Sequence, residues 1–179
     1  MLLFCDLDWT LADNSHRIRT LDGEYFVPGV SRLYEWSEVD WDWHNDINNI
    51  IEDKLISVRS IDVLNYWKLE KNCEIVYVSS RQEKERFATA MWLWKYSFPY
   101  GFLYCVTLND ADALSDKGQV LEMYADRIKQ EGALFYDDDV FKTLEQHCVR
   151  FNVELRKPRY VYGEAGFWEE EYNKIKCQT

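Results

Sequence analysis

The segment Asp6-Leu7-Asp8-Trp9-Thr10 places two carboxylates one residue apart, directly after the apolar run Leu2-Leu3-Phe4-Cys5. A carboxylate at such a point can attack phosphorus and form an acyl phosphate, which divides one hard hydrolysis into two easier steps. The second carboxylate can protonate a leaving alkoxide and later take a proton from water. Alone, D-x-D-x-T carries little weight in a chain with 32 Asp plus Glu, where acidic surface turns are common. Three further groups accompany it. Ser79-Ser80-Arg81 offers a hydroxyl and a helix start to phosphate oxygens, although by itself Ser79 would be only a helix cap. Lys117 opens a helical stretch behind the loop LNDADALSD, where one cation could neutralise both a phosphoryl group and Asp6. Asp137-Asp138-Asp139 sets three carboxylates side by side, and these repel one another unless solvent or a cation relieves them. A hard divalent ion with oxygen ligands would do so, and magnesium suits phosphate chemistry.

The elements that must position these groups are short strands. LLFC stops at Asp6, IVYV (75–78) at Ser79 and ALFY (133–136) at Asp137, and none shows polar alternation. Such runs predict strands buried on both faces, hence a parallel sheet covered by helices, with the three polar stops on one edge. Helical spacing lies between them. Val58, Ile61, Leu64 and Trp67 mark a helix over 57–69, and Phe87, Ala90, Met91 and Trp94 form the apolar stripe of a second. Val120, Leu121, Tyr124 and Ile128 mark a third, and 140–148 a fourth. Residues 13–56 fit this scheme least well and read as an irregular insertion with a short helix, placed to cover the strand ends where ligands bind in open parallel sheets.

Composition sets outer bounds. The 179 residues are expected to form a single domain, and 8 Trp, 12 Tyr and 9 Phe supply ample core volume. A formal charge of −11 argues against an extended basic track for duplex nucleic acid, although a metal ion can invert the sign within one cleft. Five scattered cysteines, with no C-x-x-C, read as reduced thiols. No signal peptide or membrane span is legible, so a cytoplasmic, non-membrane setting is expected.

Taken in order, DLDWT, VSSR, Lys117 and YDDD resemble the four motifs of the haloacid dehalogenase-like (HAD) phosphohydrolases, over residues 2 to about 150. The stretches LADNSHR, VDWDWHNDI, TAMWLWKYSFPYGFLY and YDDDVFKTLEQH are similar, within that superfamily, to the phosphatase domain of polynucleotide kinase/phosphatase and its phage and bacterial relatives. The resemblance implies an α/β fold, a HAD-like Rossmannoid parallel sheet covered by helices with a small insertion after the first strand. It implies Asp6 as nucleophile, Asp8 as general acid/base and Lys117 as a third catalytic group. Phosphate binding would fall to Thr10, Ser79, Ser80, Arg81 and Lys117, with Thr10 also holding the loop. Mg2+ would be held by Asp6, the Asp8 carbonyl, Asp137 and Asp138. Arg17 and Arg81 stand where relatives carry basic residues. The implied partner is a phosphorylated nucleotide or a nucleic-acid 3′ end. A free-nucleotide phosphatase, a phosphotransferase and a binding protein without turnover stay open as alternatives. Trp9 and Ser80 depart from the family pattern, in which small residues stand at both positions. No G-x-x-x-x-G-K-[ST] is present, so a kinase activity has no support.

Other residues have plainer readings. Trp36, Trp41 and Trp43 with His44 could stack a base, but more often such rings pack an insertion onto its domain. Trp92 and Trp94 are expected to pack. His16, His44 and His147 lack zinc spacing. The terminal FWEEEYNKIK reads as a mixed-charge, solvated helix.

Overall fold

The computed structural model describes residues 1–179 except 33, 107–115, 140, 141, 143, 161, 162, 165, 178 and 179, and except the side chain of residue 36. Leu2–Cys5 forms strand β1, buried at every position. Ala12–Asp13 (β2) pairs antiparallel with Lys54–Leu55 (β3), so the insertion is closed at its base by two short strands. Between them lie single 3-10 turns and two short helices, Trp41–His44 (α1) and Ile47–Ile51 (α2), capped by the Asp40 and Asp46 side chains. The chain continues through Val58–Asn65 (α3), extended by a π-helical turn Tyr66–Glu70, to Glu74–Ser79 (β4). Arg86–Lys95 (α4), Phe102–Cys105 (β5), Lys117–Met123 (α5), Ala125–Glu131 (α6) and Ala133–Tyr136 (β6) follow. Leu144–Phe151 (α7), Glu154–Arg156 (β7) and Phe167–Lys176 (α8) complete the described order.

The main sheet runs β5-β4-β1-β6-β7 and every pair in it is parallel. Cys5 is in register with both Tyr77 and Tyr136, so Asp6, Ser79 and Asp137 emerge together at the carboxyl edge, as the three polar stops predict. The pleat separates two cores. Leu3, Cys5, Ile75, Tyr77 and Tyr136 face α3, α4 and α8 through Val63, Leu64, Trp92, Trp168 and Ile175. Leu2, Phe4, Val76, Val78 and Phe135 face α5, α6 and α7 through Val120, Leu121, Ile128, Leu144 and Cys148.

Several expectations change. Helix α4 is present, but its anticipated apolar stripe points outward: Phe87 is 75% and Trp94 76% exposed, while Ala88, Thr89, Trp92 and Leu93 are buried. Both faces of α4 carry large apolar residues, so periodicity could not choose between them. Trp94 is therefore not a packing residue. The single helix predicted around residues 117–128 is two, broken at Tyr124, although its stripe is buried as anticipated. Part of the predicted start of α7 lies outside the described residues. Helix α8 is not fully solvated, because Trp168, Glu171 and Ile175 line a buried face at i, i+3 and i+7. A Cβ at Gly118 would lie 2.4 Å from the His147 ring, so α5 rests directly on α7 and His147 is a packing residue.

Candidate active site

After β1 the chain turns at once. The Leu7 carbonyl accepts from the N–H groups of Thr10, Leu11 and Ala12 at 3.2, 2.8 and 2.8 Å, which folds Asp6–Thr10 into a tight loop over the strand end. Trp9 sits in this loop at φ 61°, a left-handed conformation that costs a non-glycine residue about 1–2 kcal/mol. This explains why a small residue is usual at that position in the family pattern. The indole meets Phe26 of the insertion edge-on at 5.2 Å and Tyr160 at 6.4 Å, and Tyr160 is itself tied to Asp13 by a 2.9 Å hydrogen bond.

Asp6 is buried. Its Oδ1 lies 2.8 Å from Lys117 Nζ and its Oδ2 accepts from the Thr10 hydroxyl at 3.2 Å. Lys117, the first residue of α5 behind the Asp116 cap, also donates to Asp137 Oδ2 at 2.7 Å. The Thr10 hydroxyl in turn accepts from the Asp138 N–H at 3.2 Å, so it is fully engaged in holding the β1 and β6 loops together. Carboxylate oxygens of Asp6, Asp137 and Asp138 lie within 4.8 Å of one another. Burial, only partly offset by Lys117, pushes the Asp6 carboxyl up to about 7. Burial and the neighbouring Asp137 and Asp6 raise Asp138 well above the usual range. The Lys117 ammonium is held firmly protonated despite its burial, by Asp137 and Asp6.

These residues fit a hard divalent cation: one lysine faces three carboxylates, and Asp138 Oδ2 is buried with no hydrogen-bond partner. Asp139, the third member of the acidic run, turns away at φ 42°. Its Oδ1 caps α7 through the Leu144 N–H at 2.9 Å, and its carboxylate pairs with Lys157 at 3.1 Å.

A second ionic cluster adjoins the first. The Asp8 carboxylate accepts from Arg81 Nε and Nη2 at 3.0 and 2.7 Å and from Arg17 Nη2 at 2.9 Å. Asp53, wholly buried between α2 and β3, accepts from Arg17 Nε at 2.7 Å and Arg81 Nη2 at 2.7 Å. Burial alone would raise Asp8, but the two guanidiniums override it and hold its carboxyl well below the usual range. Ser79 ends β4 fully buried, with its hydroxyl accepting from the Arg81 N–H at 3.2 Å, and Ser80 beside it is exposed. No α-helix starts at Ser79. Gln82 caps a 3-10 turn, Glu83–Glu85, and α4 begins only after it, so the expected helix amino terminus lies further along the chain.

Of the insertion's aromatic residues, Trp43 is tied to the loop that carries Arg17, while Tyr25 is exposed. Trp43 donates to the His16 carbonyl at 3.1 Å and lies under the Arg19 guanidinium at 4.2 Å, and Trp41 meets His44 edge-on at 5.2 Å. The side chain of Trp36 lies outside the described structure. Burial and Arg17 lower His44 to about 4, so its ring is neutral near pH 7. Sequence reasoning missed Asp53, one acid among 32 with no spacing to mark it. It also missed Trp168, whose indole donates to the Thr10 carbonyl at 2.8 Å. The spacing of Trp168, Tyr172 and Ile175 was the available signal for a buried face on α8.

An acidic loop after the central strand of a parallel sheet, a lysine bridging it to an acidic cluster on the adjacent strand, and a serine ending the other neighbour define an HAD-type phosphatase. The family model for the PITM 1-3 LNS2 domain matches residues 38–140, more than half of the sequence, and the chain belongs to that family, a phosphatase domain of the HAD superfamily. The matched region carries Ser79, Lys117 and Asp137 but not the segment with Asp6 and Asp8. Among solved structures, a chain in the structure of the Pnkp1/Rnl/Hen1 complex superposes with a TM-score of 0.55 at 18% identity, over 89% of this chain. The match spans 45% of that chain and speaks to fold alone. No curated protein sequence matches. Among the described residues no helix is long and apolar enough to cross a membrane.

Proposed function

We propose that the chain is a magnesium-dependent phosphomonoesterase that works through a phosphoryl group carried on Asp6. The observation that carries this reading is the buried, under-neutralised cluster in which Lys117 bridges Asp6 and Asp137 while Asp138 keeps an unpartnered oxygen. Magnesium, held by the Asp6 and Asp137 carboxylates, the Asp8 carbonyl and Asp138, would supply positive charge to the phosphoryl oxygens. Lys117 adds a fixed cation, and Ser79, with Ser80 and Arg81 next to it, flanks the phosphate.

In the first step an Asp6 carboxylate oxygen bonds to phosphorus, the P–O bond to the leaving group breaks, and the departing oxygen takes a proton from Asp8. In the second step water attacks phosphorus, Asp8 takes its proton, and the Asp6–phosphorus bond breaks to release inorganic phosphate. Arg17 and Arg81 hold Asp8 ionised, the state the second step needs. The first step needs its carboxyl protonated and turned out of the arginine pair. Leaving groups that depart easily as anions, such as aryl oxides, demand less of this proton transfer.

The substrate we propose is a nucleotide-bearing phosphomonoester, in particular a nucleic-acid 3′-phosphate end. The motif resemblance supports the strand end, and Trp9, backed by Phe26 and Tyr160 next to the nucleophile loop, supports a planar leaving group. The charge of −11 favours short ends over duplex tracks. The unpaired cysteines fit a reducing, cytoplasmic setting. The test is phosphate release with magnesium or EDTA from 3′- and 5′-phosphorylated oligonucleotides, mononucleotides and an aryl phosphate. Release should require magnesium and vanish in Asp6→Asn, a variant expected to stay folded by circular dichroism. Full activity in Asp6→Asn would falsify the covalent route.

A further inference from the structure

Trp168 is among the largest fully buried side chains of the described structure, yet it belongs to a helix whose composition looks solvated. Its ring packs against Tyr136, the residue before Asp137, at 4.9 Å and 49°. Its indole N–H donates to the Thr10 carbonyl, 158 residues away in sequence, at 2.8 Å. Thr10 is the residue whose hydroxyl joins Asp6 to the Asp138 backbone. Helix α8 is locked in register for this contact. Glu171, buried one turn further on, accepts from Tyr136 Oη at 2.9 Å and Lys174 at 2.7 Å and pairs with Arg156.

We infer that Trp168 is a positioning residue of the phosphatase site, fixing the Thr10 peptide so that the Asp6 carboxylate and the Asp138 loop keep their spacing. The inference rests on Asp6 being the nucleophile. The left-handed Trp9 stores strain in the same loop, and a loop under strain keeps its shape only where its surroundings over-determine it. Only two contacts of this kind reach Thr10 from other elements among the described hydrogen bonds, the Asp138 N–H on its hydroxyl and the indole on its carbonyl. Losing the indole donor leaves the ring packing intact but frees the peptide to rotate. A misplaced nucleophile lowers the rate of attack without weakening phosphate binding, which depends on other groups.

The experiment compares kcat and KM of the full chain, with magnesium and an aryl phosphate, well below the lowest Tm of the set. The set is wild type, Trp168→Phe, an isostere carrying benzothienylalanine at position 168 (sulfur in place of the N–H), Ile175→Ala and Asp6→Asn. Ile175 is buried on the same face of α8 and touches none of the site hydrogen bonds given above. Both changes at position 168 should lower kcat about 3- to 10-fold, the worth of one hydrogen bond, with KM within about twofold. Ile175→Ala should lower Tm at least as far while leaving kcat within about twofold. An unchanged kcat in the isostere, or an equal kcat loss in Ile175→Ala at matched Tm, overturns the inference with the phosphatase reading intact. Retained turnover in Asp6→Asn overturns both.

Discussion

Two buried ionic clusters lie side by side at the carboxyl edge of the sheet, and they are balanced differently. Around Asp8 and Asp53, two carboxylates meet two guanidiniums, and the charges cancel. Around Asp6, Asp137 and Asp138, three carboxylates meet one ammonium, and two of the three carboxyls are raised in pKa. Burying charge is costly unless it is paired, so the first cluster reads as complete and the second as a cradle for a cation. Proximity of acids alone would not separate them. The balance of charge does.

The sharpest way to break this comparison is to remove one acid from each cluster in metal-free protein. Asp53→Asn leaves a buried guanidinium charge uncompensated and should cost about 3–5 kcal/mol of stability in a denaturant titration, whereas Asp138→Asn should leave stability unchanged or raise it. Next in size, Lys117→Ala should lower kcat by about 10²–10³-fold, as loss of a preorganised donor at developing charge does elsewhere. The pH response should differ in sign between Asp6 and Asp8, the two carboxylates of the nucleophile-loop motif. Asp6 is raised to about 7 in the folded protein, so its contribution is lost as pH climbs from the ordinary carboxylate range through 7. Asp8 is depressed, so its contribution is present at neutral pH and fades only in strong acid. The rise in Tm on adding magnesium should therefore be larger at pH 8 than at pH 5, and equal shifts would contradict the cradle. The smallest effect belongs to Trp9→Gly: relief of the left-handed residue, about 1 kcal/mol, is offset by loss of the ring contacts with Phe26 and Tyr160, so stability should change by less than about 1 kcal/mol in a denaturant titration. The substitution should also lower the preference for nucleotide over glycerol phosphate in kcat/KM.

The central sheet was legible because LLFC, IVYV and ALFY are apolar without alternation, which only doubly covered strands require. The edge strands β5 and β7 were not: Phe102–Cys105 lies in an aromatic-rich stretch, and Glu154–Arg156 carries charge at both ends, as edge strands do. Asp6 and Asp137 were brought together by strand ends that could be counted, and Lys117 by the start of a helix whose stripe was legible. The cluster around Asp8 was harder to foresee: Arg17 and Arg81 were marked only through the family resemblance, and Asp53, which shares both guanidiniums, comes from the insertion, whose path no periodicity describes. On α4 the pattern identified the helix but misled on its face, because Trp92 and Trp94 look alike in sequence and only tertiary packing separates them.

The central position of β1 also dictates when the site comes into being. The Asp6 N–H is hydrogen-bonded to the Tyr136 carbonyl at 2.8 Å, so the proposed nucleophile is seated by a strand that leaves the ribosome about 130 residues after it. Until β6 docks, β1 has one open edge, and Lys117 lacks its second carboxylate. The assembled site is thus withheld from the growing chain by topology, and it arrives with the closing of the sheet rather than with the synthesis of Asp6.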